Sequence, residues 1–63
     1  MEYAISLLAR AQAQHENNAV IFTQRARYAK VGVEEAELLG MAALETTRAQ
    51  WCRDAITKLK GDT

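Results

Sequence analysis

The chain has 63 residues, a single cysteine, a single histidine and no proline, and its eight acids balance its eight basic side chains. This excludes an intrachain disulfide and a zinc site with the usual three or four soft ligands, and it argues against a generic binder of nucleic acid or anionic membrane, which would be basic. So short a chain buries only a modest core, so one small domain spanning 1–63 is expected to depend on self-association or on another protein.

The first predicted element is a helix over about residues 2–30. Its residues favour helix, and Ile5, Leu8, Gln12, His15, Ala19, Phe22, Ala26 and Ala29 recur at three-four spacing, which places them on one face. The stretch "HENNAVIFT", residues 15–23, is its weak point: Asn17 and Asn18 are poor mid-helix residues, and Val20 to Thr23 also suit a strand. A kink or break there, giving three helices, remains an alternative. No apolar run reaches the about 18 residues of a membrane span, and the opening lacks the basic start of a secretory signal, which points to a soluble cytoplasmic protein.

A bend is expected near residues 31–33. Arg25, Arg27 and Lys30 would sit in the last turns of the first helix and Glu34, Glu35 and Glu37 in the opening turns of the next, each matching the sign of the helix dipole. Gly32 between them can adopt a left-handed conformation or act as an N-cap. The same stretch invites a helix-turn-helix reading, with Gly32 and Val33 at the turn. Against it, Tyr28 stands where a small residue belongs, and the would-be recognition helix "EEAELLGMAAL" offers carboxylates to a polyanion.

The second predicted helix covers about 33–60, with a seam of Leu38, Ala42, Glu45, Ala49, Cys52, Ile56 and Leu59. Folding at Gly32 brings the seams into register, with Phe22 near Ala42, Ala26 near Leu38, Leu8 near Ile56 and Ile5 near Leu59. The expected fold is therefore all-α: an antiparallel two-helix hairpin. His15 falls across from Ala49 and one turn from Glu45, so a buried His–Glu hydrogen bond that fixes register or senses pH is conceivable. Cys52 reads as a small seam residue and not a reactive thiol.

No nucleophile with a base, no phosphate loop and no paired-carboxylate constellation is present, so catalysis and cofactor binding are not expected. Apolar residues are in surplus, however. Leu7, Ile21 and Tyr28 lie on a flank of the first helix, and Met41, Leu44, Trp51 and Ala55 form a second line on the other. A lone hairpin cannot cover them all, which marks a partner or oligomer interface with Trp51 as its anchor. Two hairpins joining as a four-helix assembly would bury these flanks. The competing reading is a small nucleic-acid-binding regulator in which Arg25, Arg27 and Lys30 touch phosphate or an acidic partner, with Tyr28 stacking between them.

The stretches "MEYAISLLARAQAQHENN", "GVEEAELLG" and "TTRAQWCRDAITKLK" resemble the short early proteins encoded in the exo–xis region of lambda-like temperate bacteriophages, over the whole chain and without a diagnostic motif. The resemblance implies a non-enzymatic accessory protein of the infected cell's cytoplasm. It would act by binding a bacterial host protein, and modulate host replication, the cell cycle or the lysis–lysogeny balance.

Overall fold

The computed structural model describes residues 2–61. It consists of two long helices, α1 (Glu2–Tyr28) and α2 (Val33–Gly61), packed antiparallel along their full length in a rod of 48 × 14 × 10 Å. At about 1.5 Å per residue, helices of 27 and 29 residues account for that length. The expected hairpin is the fold. The outermost positions of the 1–63 domain lie outside the described residues.

Every residue of both predicted seams is buried or half-buried. The centre of the interface is made of small side chains: Ala49, Ala26 and Ala42 are only 3%, 4% and 7% exposed, and no large side chain is fully buried among the described residues. Alanine methyls make the facing surfaces of the two helices shallow, and the longer side chains beside the seam lie outside it.

α1 runs through Asn17 and Asn18 without a break, so the three-helix alternative is not adopted. Gln14 Nε2 donates to Asn18 Oδ1 at 2.9 Å, and the Thr23 hydroxyl donates to the Ala19 carbonyl at 2.8 Å. These bonds occupy the polar groups that would otherwise compete with the backbone ladder. Packing of Ala19 and Phe22 against α2 supplies what propensity lacks.

α1 ends at Tyr28, slightly short of the expected 30, where Ala29 N–H donates back to the Ala26 carbonyl at 3.3 Å in a tightened last turn. Gly32 takes φ = 114°, and its carbonyl accepts the first α2 hydrogen bond from Ala36 N–H at 3.0 Å. It is the N-cap of α2, reached in a backbone conformation that side chains disfavour. Gly40, by contrast, sits inside α2 with open space around its Cα. Gly40→Ala is expected to stabilise the protein by about 0.5–1 kcal/mol, since alanine loses less backbone entropy in a helix. Thermal unfolding checks this; a loss of stability would mean that something packs on Gly40.

Candidate functional site: a polar pair in the seam and an apolar face beside it

Halfway along the rod the alanine seam is interrupted by charge. His15 Nδ1–H donates to Glu45 Oε2, and Arg48 Nη1 donates to Glu45 Oε1 at 3.2 Å, so both carboxylate oxygens are engaged. Glu45 is 8% exposed and belongs to the interface. The hydrogen bond conceived from spacing is present, and it joins positions 30 residues apart in the chain. An ionised carboxylate only accepts, so the pair requires a proton on Nδ1.

The hydrogen bond from His15 holds the Glu45 carboxyl below the ordinary carboxylate value; burial opposes the shift, and the charges of His15 and Arg48 assist it. A carboxyl lowered in the folded state contributes stability that is complete above its unfolded pKa. That contribution is lost as pH falls through the unfolded and then the folded value. Urea unfolding along an acid series should therefore show stability falling through and below the ordinary glutamate range, and Glu45→Gln should flatten that slope. An unchanged slope in the variant would place the acid sensitivity in other carboxylates.

A second polar network fixes how the hairpin's two sides differ. Arg53 Nη2 donates across the interface to Glu16 Oε1 at 3.3 Å, and the same oxygen accepts from Gln12 Nε2 at 2.8 Å. Arg53 Nη1 donates to Gln50 Oε1 at 2.7 Å, and Gln50 Nε2 to Asp54 Oδ1 at 2.8 Å. Glu16 follows the seam residue His15 by one position, and Arg53 follows Cys52 by one. In an antiparallel pair the residues that follow the seam share one side, and those that precede it share the other. Glu16–Arg53 lies on the first side, which also exposes Val20 and Leu39.

The opposite side carries the larger share of the apolar surplus. On α2, Met41, Leu44, Trp51 and Ala55 each precede a seam residue by one position, with Arg48 interrupting the line. On α1, Leu7, Ala11 and Ile21 do the same, with Gln14 and Asn18 between them. Leu7, Met41 and Leu44 are exposed, Trp51 is 63% exposed, and Ile21, Ala11 and Ala55 are half-buried at the edge of the seam. The structure thus brings five of the six predicted interface residues, Leu7, Ile21, Met41, Leu44 and Trp51, onto one face. Tyr28 lies on the same line but at the end of α1, almost fully exposed.

Arg25, Arg27 and Lys30 do not converge. Arg25 belongs to the apolar face and Arg27 to the opposite side, while Lys30 lies beyond α1 in the connection. Arg27 lines a shallow open depression of about 300 Å³ with Ala19, Val20, Thr23 and Gln24, all from α1. Its wall is a single helix face, and the Thr23 hydroxyl is already committed to the backbone. Cys52 is half-buried in the seam.

Among the described residues no three His, Cys, Asp or Glu side chains are grouped to hold a metal ion, and no helix is long and apolar enough to cross a membrane. The polar pair lies in the seam beside the apolar face. No family model matches this chain, and no curated protein or solved structure matches it either.

Proposed function

We propose that this is a non-enzymatic interaction protein that works by presenting the Leu7–Ile21–Met41–Leu44–Trp51 face to another protein. The observation that carries the reading is an inversion of the usual distribution: alanines are buried while Trp51, Leu44 and Met41 are exposed. Exposed apolar surface of this kind, here in two patches separated by Arg48, Gln14 and Asn18, marks interaction sites, and tryptophan is the residue most often found as an anchor. A rigid helical face of this shape suits a partner that offers a helix. Taken with the resemblance to exo–xis accessory proteins, the function is that of an early phage protein in the cytoplasm of the infected bacterium. It would engage a host protein to modulate replication, the cell cycle or the lysis–lysogeny balance.

A nucleic-acid role has weaker support, because Arg25 and Arg27 lie on different sides and Glu34, Glu35 and Glu37 stand close to them along the chain. The test is affinity capture from bacterial lysate with the wild-type chain and Trp51→Ala in parallel. Capture of a defined protein by the wild type and its loss with the variant support the reading. Equal capture by both would remove the apolar face from the function.

A further inference from the structure

We infer that the apolar face is built to receive a second copy of this chain, with the twofold axis running along the rod so that α2 of each copy lies on α1 of the other. The inference rests on the reading of this face as an interface and assigns it to a second copy in place of the host protein named above.

Area is the first argument. The chain exposes 4771 Å², whereas a compact protein of 7.0 kDa exposes about 4,000 Å² by the usual scaling with mass. The excess, roughly 700 Å², is that of the elongated rod as a whole and is of the order of the about 800 Å² that each partner contributes to a standard interface. Joining two rods along this face gives four antiparallel helices, a packing that hides the flanks a lone hairpin leaves open. Net charge is zero, so two copies approach without long-range repulsion.

Matching along the face is the second argument, and it selects the axis. The α2 line, read from the bend outward, runs Glu34, Glu37, Met41, Leu44, Arg48, Trp51, Ala55, Lys58. The α1 line over the same levels runs Tyr28, Arg25, Ile21, Asn18, Gln14, Ala11, Leu7. With the axis along the rod these lines meet level by level between copies. Glu37 meets Arg25, and Met41 and Leu44 meet Ile21. Arg48 meets Gln14 and Asn18, Trp51 lies over the small Ala11, and Ala55 lies beside Leu7. Gln14 Nε2 is spent on Asn18, which leaves Gln14 Oε1 to accept from an arginine. Turning the axis across the rod instead sets each α2 against the other's α2, reversed about its middle. Arg48 then faces Arg48 and Arg25 loses its acid, while Lys58 meets Glu37 in its place. Like charges across an interface penalise that arrangement.

The experiment is sedimentation equilibrium across a concentration series, with far-UV circular dichroism to follow helix content. Wild type should reach twice the chain mass of 7.0 kDa. Trp51→Asp should shift the equilibrium to monomer, while Ala43→Glu on the side of Glu16 and Arg53 should leave the dimer intact. The charge-reversal pair decides the axis and does not depend on a variant that could lose its fold. Arg25→Glu and Glu37→Arg should each weaken self-association by roughly tenfold, since each creates two like-charge contacts per dimer. An equimolar mixture should recover wild-type affinity, because the heterodimer keeps one native pair and gains one reversed pair.

A helical wild-type monomer at every concentration overturns the inference. So does a dimer that tolerates Trp51→Asp, or one that Ala43→Glu disrupts equally. Failure of the mixture to recover overturns the axis along the rod. A monomer that still captures a bacterial protein through Trp51 would sink the second copy yet leave the proposed function standing. A Trp51-dependent dimer that captures nothing would do the reverse.

Discussion

Ala49→Phe is expected to destabilise the protein by about 1–3 kcal/mol, the usual cost of forcing a large side chain into a packed interior. Ala49 is the most buried residue described, and its neighbours along the seam, Ala42 and Glu45, are buried as well. The methyl of Ala42 has no alternative rotamer that frees space, and the Glu45 carboxylate is held by His15 and Arg48. The ring is accommodated only by moving α1 away from α2. That movement stretches the hydrogen bond between His15 and Glu45 and the contact between Arg53 and Glu16, both of which cross the interface. In a domain of this size about 1 kcal/mol lowers the melting temperature by roughly 4–8 °C, so calorimetry should resolve the effect easily. Ala43→Phe, on an exposed position of the same helix, is the control and should stay within about 0.5 kcal/mol of wild type. Similar melting temperatures for the two variants would show that the helices are not packed through their alanines.

Gly32→Ala should cost about 1–2 kcal/mol, the penalty of placing a Cβ on a left-handed backbone. No atom lies within 4 Å of where that Cβ would stand, so the effect isolates backbone strain from crowding. The reason is local: at φ = 114° a Cβ meets its own carbonyl neighbourhood whatever the surrounding space. Gly40→Ala makes the same chemical change in a helical backbone and should move stability the other way. Opposite signs at the two glycines are the diagnostic result; the same sign at both would deny the bend its positive φ.

Much of this fold is legible in the sequence, for a physical reason. Two helices that pack by alanine leave a sharp pattern, because most seam positions are small or apolar, and the dipole-matched charges around Gly32 announce the reversal. Even the polar interruption is visible, since His15 and Glu45 fall into seam positions by spacing alone. Continuity of α1 is less legible: Asn17 and Asn18 read as breakers when only intrinsic preference is weighed, and their rescue depends on Gln14 and on packing by α2. The contrast between the two sides is harder still to see. Glu16 and Arg53 are 37 residues apart, and nothing in either neighbourhood announces the other. The antiparallel course sets which flanks adjoin, and the pairing of Glu16 with Arg53 across the interface agrees with it. What docks on the apolar face is a property of two molecules, and a single chain states only the half it contributes.

The antiparallel course of the two helices also orders the formation of their contacts. Ala26 and Leu38 are separated by a short stretch through the bend, His15 and Glu45 by 30 residues, and Ile5 and Leu59 by nearly the whole chain. Loop closure costs more chain entropy as the enclosed segment lengthens, so each contact made nearer the bend shortens the effective loop for the next one out. The hairpin therefore closes in the manner of a zip, with its slider starting at Gly32. The His15–Glu45 pair sits at mid-travel, where a mispaired register would meet its first charged obstacle.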